Sequence, residues 1–259
     1  MMYADLNQEQ AAGLKDRDVT AILPIGATEV HGNHLPLGTD TYLVEALVKK
    51  VEEKLGEEHC LILPTVPYGQ VWSLQKAPGS IHVPDEILSR FLARIGEGVW
   101  QAGIKKLAII NTHVGNAGTM KAAARILYDS CPIKVYLFTY PGADETIRKV
   151  CTAPLPHQGY FHACEIETSY MLYLCPEKVD MGKAVCQYPE FPPEFDYTPT
   201  RWTELMDVAV LGDATQASAE KGREIIDKVV ENICGMLKEG TGEDNLPLPG
   251  MSEGDKGCR

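Results

Sequence analysis

Residues 22–40 read ILPIGATEVHGNHLPLGTD, and the rest of the chain is best read outward from them. The stretch opens in an apolar run, Ala21 to Ile25, with the length and composition of a short core strand, and Gly26 ends it. It closes on side chains that bind metals: Glu29 and His31 two apart, then Asp40 nine residues after His31. In an extended or irregular segment, side chains at i and i+2 point the same way, so Glu29 and His31 can reach one site. The intervening glycines let the backbone turn and return Asp40 to that site. Carboxylate and imidazole together suit Zn, Fe or Mn rather than a closed cysteine-based structural site. Asp40 also stands near the start of a helix pattern, where a carboxylate is favoured by the dipole. Its closeness to Glu29 and His31 favours the metal role over a plain cap.

Downstream, strand and helix patterns alternate. Thr39 to Leu55 carries apolar residues at helical spacing (Leu43, Ala46, Leu47, Val51), and 60–66, CLILPTV, reads as a second strand. Residues 85–102 form a helix with Ile87, Leu88, Phe91, Leu92, Ile95 and Val99 on one face, ended by Gly103. KKLAII is a third strand, 117–129 a helix, and 133–140, IKVYLFTY, a fourth strand. This alternation predicts an α/β fold with a mostly parallel sheet covered on both faces, whose active sites lie at the carboxyl ends of strands. The third strand runs directly into Asn111-Thr112-His113-Val114-Gly115-Asn116, so His113 stands at a strand end, as Glu29 and His31 do.

Other segments are less regular. Residues 3–18 suggest a short helix and a polar turn, and 141–160 an irregular connection. The loop PYGQVWSLQKAPGSIHV after the second strand is rich in Gly, Pro and aromatics, and offers Tyr68, Trp72 and Gln75 as candidate substrate contacts. His82 in the same loop reads as structural. The sequence HACEIETS at 162–169 leads into a helical run. On a helix Glu165 and Glu167 would diverge by roughly 200°, so only one of the two is expected to face the site. Residues 186–203, with many prolines and aromatics, suggest an extended arm over the site or an oligomer interface. Residues 212–237 suggest a long amphipathic helix, with Ile225, Ile226, Val229, Val230 and Ile233 as its stripe. One domain is expected over 1–238, followed by a Gly-, Glu- and Pro-rich flexible tail, 239–259.

Composition excludes several classes. Net charge is −12 with a pI near 5.0, which argues against a nucleic-acid partner. No apolar run is long enough to span a bilayer, and the N-terminus, MMYADLNQEQ, lacks the pattern of a signal peptide. The eight cysteines are dispersed without a CxxC pair, which suits reduced thiols and a cytoplasmic location. No GxSxG, P-loop or GxGxxG motif is present, so acyl-serine, ATP and dinucleotide chemistry have no support.

Glu29, His31, Asp40, His113 and one of the acids at 165 and 167, with His162 nearby, are too many ligands for one open zinc and suit two ions. A short carboxylate such as Asp40 can bridge the pair. Two ions roughly 3.5–4 Å apart hold a hydroxide and polarise a carbonyl, so the expected chemistry is hydrolytic attack on an amide or amidine carbon. His162 would carry the proton to the leaving nitrogen.

The segments PIGATEVHGNHLPLGTD, NTHVGN and HACEIETS, with the later GDATQASAEKGR, resemble the creatininase (creatinine amidohydrolase) family over nearly the whole chain up to Lys238. The E-x-H-G…H-L-P-L-x-T-D run is the specific part; the other segments would be weak alone. The resemblance implies a three-layer αβα sandwich, a metal pair at the carboxyl ends of the sheet, and frequent homohexamers. It implies one ion held by Glu29, Asp40 and His113, and a second by His31, Asp40 and a further carboxylate. Two positions depart from creatininase itself. The glutamate expected two residues after the metal-binding histidine is Gly115, so the second carboxylate is expected from Glu167, or is replaced by water. The catalytic glutamate expected before His162 is Phe161, and 157–160 lack the expected tryptophan. These changes argue against creatinine as substrate. The NTHVGN form looks like other branches, including deformylases of ring-opened pyrimidine intermediates and a peptidase that trims a modified peptide. The expectation is a metal-dependent amidohydrolase using two divalent ions (Zn, Mn or Fe) on a C–N bond, other than a peptide bond, of a small molecule. The alternatives are a ring-opening hydrolase of a cyclic carbonyl compound, a trimming peptidase, and last a non-catalytic metal-binding scaffold. A homo-oligomer is expected, with neither nucleic acid nor membrane as partner.

Overall fold

In the computed structural model, which describes residues 1–239, the apolar runs form one parallel sheet between two helical layers. The elements run α1 (Gln8–Ala12), β1 (Thr20–Ile25), α2 (Thr39–Leu55), β2 (Cys60–Ile62), α3 (Asp85–Gln101), β3 (Lys106–Asn111), α4 (Ala117–Ser130) and β4 (Lys134–Thr139). There follow α5 (Ala143–Val150), α6 (Glu165–Leu174), the two-residue strands β5 (Cys186–Gln187) and β6 (Gly212–Asp213), and α7 (Ala219–Glu239). From residue 240 on, the tail expected at 239–259 lies outside the described residues. No helix among the described residues is long and apolar enough to cross a membrane.

Sheet order is β2-β1-β3-β4, all parallel. The chain leaves β1 on one side for β2 and returns on the other for β3, so the order switches between β1 and β3, where ligands bind in open α/β sheets. Ile25 pairs with Asn111, and Asn111 with Thr139, so β1, β3 and β4 end level and their following loops lie side by side. Alternate strand residues serve opposite faces. Ile22, Ala108, Ile110 and Phe138 pack under α2, α6 and α7, while Ala21, Leu23, Leu107 and Ile109 pack under α3 and α4. Each fully buried Leu, Ile or Val contributes about 1.5–3 kcal/mol by leaving water. The α6–α7 contact is close: a Cβ on Gly222 would stand 1.9 Å from the Ser169 carbonyl oxygen.

Three expectations are corrected. The second strand ends at Ile62, not at 66, because Pro24 and Pro64 supply no N–H to the ladder. Pairing resumes one step later, with Val66 N–H donating to Pro24 O and Gly26 N–H to Val66 O, both at 3.0 Å. The connection after β4 contains α5, with Asp144 and Glu145 in its first turn and Arg148 and Lys149 in its last, matching the helix dipole. The last helix begins at Ala219 rather than 212. Gly212–Asp213 pairs with Cys186–Gln187, and Asp213 accepts from Thr215 N–H (2.9 Å) in a 3₁₀ turn. The seven described cysteines are all free.

Candidate metal centre

Each side chain of the cage is aimed by a local device. After β1, the ligand loop folds back on itself through Glu29 N–H to Leu37 O (3.0 Å). The long loop after β2 braces it, with Ile81 N–H donating to Thr28 O (2.9 Å) and Val30 N–H to Ser80 Oγ (3.2 Å). His82 is part of the same brace, accepting from Val71 N–H (3.1 Å). Asp40 lies in the first turn of α2, yet neither carboxylate oxygen has a hydrogen-bond partner, so it does not cap the helix.

The three imidazoles are oriented by backbone carbonyls. His31 Nδ1 faces Glu29 O (3.1 Å), His113 Nε2 faces Gln70 O (2.7 Å) and His162 Nε2 faces Val30 O (2.7 Å). With the proton on that nitrogen, the other keeps its lone pair for the cage, the usual support of a metal-ligating histidine. Ala163 has φ +48°, in the left-handed region. That turn directs its N–H at Glu167 Oε2 (2.5 Å). A bridge to Leu211 fixes the neighbouring His162 backbone (Leu211 N–H to His162 O, 2.8 Å).

Glu29 Oε1 lies 3.1 Å from His113 Nδ1, 3.7 Å from His162 Nδ1 and 4.0 Å from His31 Nε2. Asp40 Oδ1 lies 3.6 Å from His31 Nε2, and Oδ2 3.4 Å from His113 Nδ1. His162 Nδ1 is 3.9 Å from Glu167 Oε2. Three groups bring ligand atoms within 4.8 Å of one another: Glu29, Asp40 and His113; His31, Asp40 and Glu167; and Glu29, His31 and His162. Asp40 belongs to the first two. Glu29 Oε1, His31 Nε2 and both Asp40 oxygens are buried without a hydrogen-bond partner, a costly state for a carboxylate. A divalent cation is the partner this donor set fits.

The charges respond to one another. Burial would raise the Glu29 carboxyl, but His113, by charge and hydrogen bond, together with His162 and His31 outweighs it and holds the group down to about 2. Burial would lower His31, but Asp40 raises it to about 9; burial is likewise outweighed at His113, which Glu29 raises to about 10. Burial pushes Glu167 up to about 7, against the pull of His31. Burial and the charge of His31 push His162 down to about 4.

The cage opens into a cavity of about 140 Å³ walled by Gln70, Trp72, Tyr160, Phe161 and Trp202. The structure thus brings together Glu29, His31, Asp40, His113, His162 and Glu167, with Trp72 in the wall. Glu165 points elsewhere: it accepts from Thr152 N–H (3.0 Å) and Ala153 N–H (2.9 Å) and pairs with Lys221, anchoring the chain before and after it. Tyr68 lines a separate groove beside Phe91, and Gln75 ends the short helix Trp72–Leu74 outside the cavity lining. Sequence reasoning missed Trp202, whose ring lies 5.7 Å from that of His162, and the buried Asn116. It also passed over His34, whose Nε2 bonds Thr168 Oγ1 at 2.9 Å in the turn of α6. Trp202 sits in the proline-rich arm, and Asn116 and His34 lie inside the quoted motifs, which was the signal available.

The sheet order, and a carboxylate–imidazole cage at its switch point, define a doubly wound α/β protein with a metal-binding centre. The chain belongs to the creatininase family: the family model, described as creatinine amidohydrolase, matches residues 4–237. It is 28% identical over 249 residues to the creatinine amidohydrolase of Pseudomonas putida (90% of this chain, 94% of that one). It is 27% identical over 248 residues to the mycofactocin precursor peptide peptidase of Mycobacterium tuberculosis strain H37Rv (89% of each). It is 27% identical over 241 residues to the 3-dehydro-scyllo-inosose hydrolase of Thermotoga maritima (84% and 76%). A solved structure described as creatininase Mn superposes with a TM-score of 0.78 at 26% identity, covering 92% of this chain and 98% of that one. The protein is therefore a creatininase-family hydrolase.

Proposed function

We propose that this chain is a divalent-metal-dependent amidohydrolase that breaks a C–N bond of an amide, cyclic amide or formamide. The observation that carries the reading is Asp40, whose two buried, unpartnered oxygens face two separate ligand groups. Glu29, Asp40 and His113 would hold one ion, and His31, Asp40 and Glu167 the other. Two ions of Zn, Mn or Fe would supply Lewis-acid polarisation of a carbonyl and a nucleophilic water at neutral pH.

The remaining work falls to the chain's own groups. His162 presents Nδ1 to the cavity with its other nitrogen committed to Val30 O; neutral at pH 7, it can take a proton from water at Nδ1 and deliver it to the leaving nitrogen. Trp72 and Trp202 narrow the cavity and exclude bulk water. Creatinine is not the substrate proposed, because Gly115 and Phe161 stand in the cavity wall where creatininase is expected to carry acids.

The test is turnover by the metal-loaded protein on a panel of cyclic amides, formamides and short peptides, followed by mass spectrometry of the products. Chelator-sensitive C–N cleavage supports the proposal; two bound ions with no turnover on any member favours a binding scaffold. Similar identity to relatives named for an amidohydrolase, a peptidase and an inosose hydrolase keeps a second reading, ring opening of a cyclic carbonyl compound on the same site. A cytoplasmic homo-oligomer, with the hexamer implied by the family resemblance, and a single catalytic domain over 1–238 complete the proposal.

A further inference from the structure

The aromatic wall of the cavity carries a cation without a partner. Arg201 precedes the short 3₁₀ turn Trp202–Glu204 in extended backbone (φ −79°, ψ 138°), so its side chain and that of Trp202 leave the chain in different directions. Trp202 enters the cavity lining, and the Arg201 guanidinium lies over the ring of Trp72, 4.9 Å from its centroid. Trp72 in turn lines the inner cavity together with Glu29 and His113. Arg201 is half-buried. Its Nε is buried without a hydrogen-bond partner, and the guanidinium makes no hydrogen bond or ion pair among the described residues. By contrast, Lys221 is paired with the buried Glu165.

The surroundings of Arg201 favour an anion. It stands between Thr200 and Trp202, both of which line an outer chamber of about 390 Å³ that shares Trp72, Ser73, Tyr160 and Trp202 with the inner cavity. Ser73, Thr198 and Thr200 offer hydroxyls there, which can donate to an oxyanion. The one carboxylate in that outer lining, Asp196, is held by His157 at 3.1 Å. A guanidinium partly withdrawn from water is costly to keep without a counter-charge. With its terminal nitrogens unpaired, it can take a carboxylate or a phosphate by two parallel N–H bonds. The chain as a whole carries −12 and repels anions at long range, so an unpaired cation beside the cavity is what lets an anion settle there.

Resting on the proposed amidohydrolase reading, we infer that the substrate is a small acid: an amide, cyclic amide or formamide that carries one oxyanion group, a carboxylate or a phosphate monoester, which Arg201 binds while the reacting carbonyl enters the cage. In the reaction the amide C–N bond breaks, the water oxygen joins the carbonyl carbon to give a carboxyl group, and one water proton passes to the leaving nitrogen to give an amine. The oxyanion on Arg201 is unchanged by the reaction and serves to orient the amide.

The test compares N-formyl-β-alanine and N-formylaminoethyl phosphate with the neutral N-formylaminopropanol, and hydantoin acetic acid with hydantoin ethanol, on the full chain loaded with Mn. The kcat/KM of the acids is expected to exceed that of the matched alcohols by about 10–100-fold, through KM, and the excess should shrink as salt rises. A gain for either anion supports the inference, and the larger gain names the group. Arg201→Gln should remove the difference between acid and alcohol, and Arg201→Lys should keep part of it. Equal kcat/KM for acid and alcohol in the unaltered chain would overturn the inference and leave the amidohydrolase reading standing. So would a loss in Arg201→Gln by the same factor for acids and alcohols, which is the mark of a residue that only holds Trp72. Quenching of tryptophan fluorescence by the same acids on the metal-free chain reads binding without turnover and should be lost in Arg201→Gln. No turnover of any compound, with acid binding that still depends on Arg201, would instead overturn the amidohydrolase reading and keep the anion site.

Discussion

Asn116→Ala tests whether the cage depends on a side chain that touches no ligand position. Asn116 is fully buried and its side chain makes three hydrogen bonds: Nδ2 donates to Gly26 O (2.9 Å) and to Asn111 Oδ1 (3.0 Å), and Oδ1 accepts from Gln70 N–H (2.8 Å). It thereby ties the ends of β1 and β3 to the residue whose carbonyl orients His113. Truncation strands Gln70 N–H and Gly26 O in the interior. At about 0.5–1.5 kcal/mol per hydrogen bond, and more for stranded groups, the expected cost is about 2–4 kcal/mol. In a chain of this size that is a fall in Tm of roughly 5–15 °C. With Gln70 freed, His113 loses its support, and affinity at the Glu29–Asp40–His113 position should drop by roughly 10–100-fold. The His31–Asp40–Glu167 position has its own supports, Glu29 O and Ala163 N–H, and should be spared. Thermal melts and calorimetric titration with Mn read both effects. A lower Tm with both ions bound as before, or both lost equally, would refute the assignment of Asn116 to His113.

The other predictions are shorter. Asp40→Ala should abolish binding of both ions, and retention of two by elemental analysis would exclude a bridging role. Glu167→Gln should empty one position while Glu165→Gln leaves both filled; the latter should instead lose about 1–3 kcal/mol of stability with its Lys221 pair. His162→Ala should keep both ions and lose turnover, whereas loss of metal would make it a ligand. In the metal-free protein at pH 7.5 His31 and His113 hold protons, so metal binding should release about two, with about a quarter of a proton more from Glu167, measured by calorimetry in buffers of different ionisation enthalpy. Both histidine values are raised, so their contribution to metal-free stability is complete below pH 6.5 and is lost as pH rises through about 9 and 10. The Glu29 value is lowered, so its contribution is present above pH 4.5 and is lost as pH falls toward 2.

Much of the fold was legible because strand and helix periods alternate cleanly from Ala21 to Tyr140, and a parallel sheet follows from that alone. The cage was legible because Glu29, His31 and His113 follow strands directly, so strand ends fix their place. Choosing between Glu165 and Glu167 was beyond the pattern: the two point apart on α6, and only the left-handed turn at Ala163 and the position of Lys221 decide which is inward. The helix α5 was missed because eight residues show barely two turns of period. Tyr68 and Gln75 share a loop with Trp72, but the direction each takes is set by the irregular path of 67–75, which no periodicity encodes. Trp202 is 130 residues from Trp72, and only the folded arm brings them to one wall.

Gly115 shows why an absent acid is not the same as a degraded site. A Cβ at this position would stand 2.4 Å from His113 Nε2 and 2.6 Å from Gln70 O, so no side chain fits without displacing one of them. The space is taken by the His113–Gln70 hydrogen bond itself. The chain therefore orients His113 with a backbone carbonyl at the place where the family resemblance leads one to expect a carboxylate. In the proposed centre the second carboxylate comes from the other side, from Glu167, whose Oε2 accepts from Ala163 N–H. In that proposed centre glycine at 115 and the turn at 163 would be two parts of one arrangement, since a cage without a carboxylate on the β3 side needs one fixed on the α6 side.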